Sequence, residues 1–257
     1  MGTVAITPSM PRIYFNEARF ELLKLSRNRS YLFSMIGFPV IFYLLFGVTN
    51  KGSEFQGHMI ARYLLAGYSC FGAMGSSLFG IGAGLAFERG HGWLEMKRAS
   101  PMPAAAYLLA KLCVAITFAV GITILLIILG TAMAGVQITT VEGLWLLSVI
   151  AGGVLPFASL GLVIGLVMPS NAAPGVINLV YLPLSFCGGL WMPIETLPHW
   201  LQVIAHGLPS FWFSRLALRT LGYSDSSAVL AWALLAGYAV VFLLIAAFIF
   251  RRQEAQA

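Results

Sequence analysis

Few side chains in this sequence could do chemistry, and most are badly spaced for catalysis. His199 and His206 could form the base pair of an intramembrane protease, but no serine is identifiably paired with them. Gly67-Tyr68-Ser69-Cys70 lacks the final glycine of a GxSG nucleophile turn. Cys70, Cys113 and Cys187 lie far apart inside apolar runs, where they read as small buried hydrophobes rather than metal ligands or a disulfide framework. There is no GxxxxGK[ST] phosphate loop and no HExxH motif. What does cluster is charge. Glu88, Arg89, Glu95, Lys97 and Arg98 surround Trp93, Leu94 and Met96 in the stretch 88–103. Gly90 and Gly92 permit a sharp turn, and Pro101 and Pro103 end the short helix. Both charge signs around an aromatic anchor make a protein-docking element.

The elements that hold this loop follow from how rare charge is elsewhere. Of 257 residues, 15 are Lys or Arg and 9 are Asp or Glu, so 9% are charged, while 59% are hydrophobic. Soluble domains carry roughly 25% charge. A soluble enzyme and a disordered chain are both excluded. The mean hydropathy of +0.88 belongs to a membrane protein. A charge at the bilayer centre costs about 2.5–3.5 kcal/mol, and a crossing needs about 20 apolar residues. The charge-free intervals, with the 169–174 Pro-Ser-Asn-Ala-Ala-Pro turn splitting the longest, predict six spans near 31–49, 60–86, 104–134, 143–168, 173–192 and 227–250. The organisation expected is an N-terminal segment 1–30, a membrane domain 31–250 and a tail 251–257.

Six spans put both termini on one side. Eleven Lys/Arg fall on that side and four on the other (Lys51, Arg62, Arg215, Arg219), which places the termini in the cytoplasm. The net +6 then sits on the cytoplasmic face and marks no nucleic-acid site. The run at 31–49 follows about 30 polar and charged residues, so it reads as a span rather than a cleaved leader. No ionisable residue falls in the middle of a span, which argues against an ion-coupled carrier.

Three further patterns stand out. In the segment before the first span, Tyr14, Phe15, Ala18, Leu22 and Leu25 share an arc of about 100°, beside a polar arc of Glu17, Glu21, Lys24 and Asn28; Ile13, Phe20 and Leu23 break the separation. This predicts an interfacial helix with its apolar stripe on lipid or on the bundle. After the fifth span, Gly188, Gly189, Pro193, Pro198 and Pro209 cut an apolar stretch into short pieces, and Trp191, Trp200 and Trp212 suit an outer interface. That predicts an external re-entrant hairpin, buried in protein, capping a pathway. Gly72, Ser76, Gly80 and Gly84 form a ladder of small residues for close helix packing.

Taken in order, these motifs resemble the ABC-2 type transporter permeases. Glu88-Arg89, Gly92, Leu94-Glu95 and Pro101 match that family's loop after the second span. Gly188-Gly189, Pro193, Leu197-Pro198-His199-Trp200-Leu201, Pro209 and Arg215/Arg219 match its region after the fifth. His91 and Trp93 depart from the family pattern. The resemblance implies an all-α membrane protein with six transmembrane helices, an interfacial helix and a cytoplasmic coupling helix. It implies an inner-membrane, homodimeric permease of an ATP-driven exporter, docked on two copies of an ATP-binding subunit. No cofactor is expected in this chain, and ATP and Mg are expected in the partner. Glu88, Arg89, Gly92, Trp93, Leu94, Glu95, Lys97, Arg98 and Pro101 would form the coupling contact. The implied substrate is a drug, lipid or lipid-linked molecule, the alternative a polysaccharide or glycolipid. An intramembrane enzyme and a non-transport assembly factor are the readings from other classes.

Overall fold

A computed structural model describes residues 10–55, 57–93, 96 and 104–254. Within these residues the regular structure is helical, apart from a hairpin pairing β1 (Glu54–Phe55) with β2 (His58–Met59). The helices are α1 (Met10–Arg27), α2 (29–48), α3 (Ile60–Gly90), α4 (Ala104–Met133), α5 (Thr140–Val167), α6 (Ala173–Cys187), α7 (His199–Ala205), α8 (Pro209–Thr220) and α9 (Ala228–Glu254). Helices α3, α4, α5 and α9 are long and apolar enough to cross a membrane. Helix α6 has 15 residues, which at 1.5 Å per residue is about 22 Å. It ends at Cys187, five residues before the boundary expected from charge spacing, because Gly188 and Gly189 turn the chain there.

Side-chain contacts fix the direction of each helix. Arg62 on α3 pairs with Glu142 on α5, and Arg89 donates to the Met168 carbonyl just past α5, so these two helices run the same way. Gln253 on α9 bonds the Leu166 carbonyl, while Trp232 covers Gly152, so α9 is parallel to α5. Tyr43 lies beside Gly130 and Leu65, whereas Tyr31 reaches the Ser76 carbonyl. Helices α2, α4 and α6 therefore run opposite to α3, α5 and α9. The ends of α1, α3, α5 and α9 gather with the starts of α2, α4 and α6 at one end of the bundle, called here the termini end.

Helix α3 is the centre of the fold: 78% of its most apolar stretch is buried, against 17% for α9. Small residues let its neighbours approach. Along the 72–84 ladder, Gly72 faces Ile122 and Pro39, and Gly80 faces the Tyr31 hydroxyl. Ser76 donates to the Ala73 and Ala115 carbonyls, and Gly84 lies beside the Lys111 ammonium. The ladder thus packs α3 against α2 and α4 within the chain. On the opposite side Gly82 meets Gly161 and Gly165 of α5, with backbone atoms near 3 Å from where a Cβ would stand. A π-helical segment, Leu78–Ala83, turns small residues toward both neighbours. Helix α5 starts on a capping box: the Thr139 hydroxyl accepts from the Glu142 N–H, and the Glu142 carboxylate accepts from the Thr139 N–H at 2.8 Å.

At the opposite end, each proline opens a helical piece. Pro193 precedes a 3-10 turn (Ile194–Thr196), Pro198 precedes α7, and Pro209 starts α8, where its fixed φ suits the first turn. The pieces fold back into the bundle. Phe213 lies against Gly153 and Phe157, and the Gly207 carbonyl between α7 and α8 accepts from Tyr238. Tyr238 is ten residues into α9, so the hairpin tip sits about 15 Å down that helix. Gly188 is covered by Ser210, and Gly189, at φ +71°, accepts through its carbonyl from Tyr63 at 2.8 Å. Trp200 stays exposed, while Trp191 packs on Phe42, Phe71 and Phe186.

A Cβ at Gly67 would overlap the Leu190 carbonyl, with the carbonyl carbon at 3.1 Å, and backbone cannot move aside cheaply. Gly67→Ala should therefore cost about 1–3 kcal/mol, read as a lower thermal midpoint in detergent. Gly121→Ala, which meets nothing within 4 Å, should leave the midpoint level or raise it. Equal midpoints for Gly67→Ala and the parent would contradict the close turn.

Candidate functional site

The densest chemistry lies at the termini end, where α1 crosses α3 and α4. Lys111, seven residues into the otherwise apolar α4, sends its ammonium to Glu21 at 2.7 Å and to Glu88 at 3.2 Å. Lys24 on α1 pairs with Glu88 and, at 3.4 Å, with Glu21. Tyr107 donates its hydroxyl to the second Glu88 oxygen. The Glu21, Glu88 and Lys111 side chains are 4%, 1% and 2% exposed. Two carboxylates and two ammoniums thus form a closed, neutral cluster joining three helices. Burial lowers the affinity of Lys24 for its proton, but Glu21 and Glu88 outweigh that, so its pKa is raised. Breaking one partner of such a buried pair costs about 3–5 kcal/mol, because the other charge is stranded; replacing a whole pair by apolar or neutral groups costs little.

Arg89, next to Glu88, points the other way. It donates to the Met168 carbonyl at 3.0 Å, capping the end of α5, and Gly90 touches Ser170 in the following turn. Residues 88–90 therefore tie α3 to α1, α4 and the α5–α6 turn together. The chain then turns at Gly92, whose φ is +72°. Phe87, His91 and Trp93 form an exposed aromatic group, with Phe87 and His91 rings 4.0 Å apart and Trp93 5.8 Å from Phe87. Between this group and α1 opens a cleft of about 230 Å³, lined by Glu17, Phe20, Glu21, Lys24, Glu88 and Trp93. Its floor is the ion cluster and its rim is aromatic.

Comparison with known proteins adds to this geometry. The family model for ABC-2 type transporters matches residues 17–222. A curated protein of Bacillus subtilis strain 168, named "Putative transport permease YvfS", is 32% identical over 239 residues, covering 91% of this chain and 96% of its own. The chain belongs to the ABC-2 type transporter family. It is a transmembrane permease subunit of an ABC transporter, and ATP hydrolysis lies in a separate partner.

Several residues singled out in this permease's sequence hold positions that spacing did not reveal. Glu88 faces inward, and its carboxylate is paired within the subunit at the floor of the cleft. On α1, Glu21 and Leu25 are buried, Tyr14, Glu17, Ala18, Leu22 and Lys24 are half-buried, and Phe15 is exposed. The inward face of α1 is thus the one with carboxylates, whereas Phe15, Phe20 and Leu23 turn outward beside Arg12, Arg19 and Arg27. This divides the apolar stripe read from the sequence, because ion pairing with Lys111 outweighs apolar contact for that face. Leu94, Glu95, Lys97, Arg98 and Pro101 lie outside the described residues. Lys111 was the overlooked signal: a lysine two turns inside an apolar helix needs a carboxylate, and Glu88 and Glu21 were available.

Lys111→Met should lower the folded yield in detergent by the equivalent of about 3–5 kcal/mol. Glu88→Gln combined with Lys111→Met should recover most of that loss, since Glu21 and Lys24 remain a matched pair. A silent Lys111→Met, measured by monodisperse yield and thermal midpoint, would contradict the cluster.

Proposed function

We propose that this permease exports a hydrophobic or amphipathic substrate (a drug, lipid or lipid-linked molecule) from the cytoplasm or inner leaflet. Two copies would pair in the inner membrane, each docked on one ATP-binding subunit, with ATP and Mg held by that partner. Six spans would cross the bilayer, with α2 and α6 as the shorter crossings, and both termini in the cytoplasm. The Lys/Arg asymmetry supports that orientation. Helix α1 would lie in the cytoplasmic interface, with Phe15 and Leu23 at the lipid boundary and Arg12, Arg19 and Arg27 toward anionic headgroups. The α7–α8 hairpin would cap the external end of the path.

The observation that carries this reading is the cleft above the ion cluster. A soluble motor needs a grip that moves more than one helix. The cleft offers acidic and aromatic groups (Glu17, Phe20, Trp93), and its floor links α1, α3 and α4. A partner element seated there would push three helices as one body. The segment 94–101 would add to this contact through Glu95, Lys97 and Arg98 as charged residues and Leu94 as an apolar one. Charges at such a rim set partner choice and orientation.

Co-purification tests it. The tagged permease, expressed with its ATP-binding subunit in mild detergent, should retain that subunit. Glu17→Lys, Trp93→Ala and Glu95→Lys should each lower retention or transport-coupled ATP hydrolysis about tenfold, a loss of about 1.4 kcal/mol, while the permease still inserts. Full retention and coupling in all three would remove the docking role. Failure of the parent to retain any ATP-binding subunit would remove the proposal itself.

A further inference from the structure

Apolar helices α2 to α6 and α9 hold one amide side chain away from their terminal turns: Asn178 on α6. It is exposed, and no group of the described chain bonds it. Its helix buries Ile177, Tyr181 and Ser185 on the other side, with the Tyr181 hydroxyl donating to the Phe71 carbonyl at 2.9 Å. The outward side carries Gly175, Asn178, Leu179, Leu182 and Pro183, the i, i+3, i+4, i+7 stripe of one helix face. Leu179 is 75% exposed.

Depth makes this exposure costly. The neighbouring Ile177 touches Gly82, eight residues before the end of α3, which is about 12 Å in from that end. Lipid at that level offers no hydrogen-bond partner, and an unsatisfied amide there costs several kcal/mol. Asn is self-complementary: its carbonyl accepts and its NH₂ donates. Two copies related by a two-fold axis can therefore satisfy each other with one residue type, which is what an isologous interface requires. Gly175, with nothing within 4 Å of its Cβ position, lets a second helix backbone come close one turn away. A soluble ATP-binding subunit cannot reach this depth.

We infer that the 175–183 face of α6 is the seam between two permease copies, with their Asn178 carboxamides hydrogen-bonded across it. The inference rests on the paired-permease reading and adds the surface and the bond. The test uses the full chain in membranes, with Cys70, Cys113 and Cys187 replaced by alanine. Asn178→Cys and Leu182→Cys should each form a disulfide-linked dimer under mild copper-phenanthroline oxidation. Val229→Cys, 81% exposed on α9, should not. In sparse bilayers, single-molecule photobleaching should show about a fivefold fall in dimer for Asn178→Leu, in the range of interhelical hydrogen bonds, and little change for Asn178→Gln. A chain that pairs but never cross-links at 178 or 182 overturns the seam and leaves pairing intact. A chain that is monomeric at every density overturns both. Lost transport with an unchanged dimer in Asn178→Leu assigns the residue to a path instead and overturns the bond.

Discussion

Everything at the termini end depends on matching four charges, three of them buried and the fourth, Lys24, half-buried. Glu21, Glu88, Lys24 and Lys111 cannot face apolar surroundings singly, so three helices must meet with defined rotation and height. Gly84 leaves room for the Lys111 side chain beside α3, and the rest of the small-residue ladder lets α4 and α2 lie close enough for the pairing. The rotation of α1 follows. With Glu21 and Lys24 turned in, its aromatic and arginine residues must turn out. An apolar core would have bound α1 as firmly; a closed ion cluster also fixes which face it shows.

This arrangement suits a subunit with no motor of its own. Arg89 locks the end of α3 to the α5–α6 turn, and Glu88 locks it to α1 and α4. A push on the aromatic edge at Phe87, His91 and Trp93 therefore reaches most of the bundle through two adjacent residues. At the far end the α7–α8 hairpin inserts Phe213 between α3 and α5 and hangs its tip from Tyr238 of α9. Motion of the helices at one end would thus be felt by the cap at the other.

Much of this was legible in the sequence, for plain reasons. Scarce charge is a strong signal in lipid, so the intervals between charges fall on helices α2, α3, α4, α5 and α9 within a few residues. Pro193, Pro198 and Pro209 announced the broken hairpin because prolines this closely spaced suit the first turns of short pieces better than one unbroken crossing. The capping box at Thr139 and Glu142 was readable too and passed unnoticed. Pairings were not legible. Spacing showed Glu88 only as part of the loop 88–103; it could not show that Lys111, inside the next span, draws that carboxylate inward. A helical wheel for α1 sorted residues by polarity, yet the partner helix selected the acidic face. The depth of Asn178 was likewise invisible until α6 was placed against Gly82.

The central claim is that α1 and the end of α3 move as one body when the partner binds ATP. Pulsed EPR between labels on Arg19→Cys and Phe87→Cys, in the permease–ATPase complex with the native cysteines replaced, measures it directly; both positions are exposed. The account predicts one narrow distance distribution, unchanged between the nucleotide-free and ATP-bound complexes, while the distance from Arg19 to a label on Leu179 changes. A shift or broadening of the Arg19–Phe87 distance on ATP binding would contradict it.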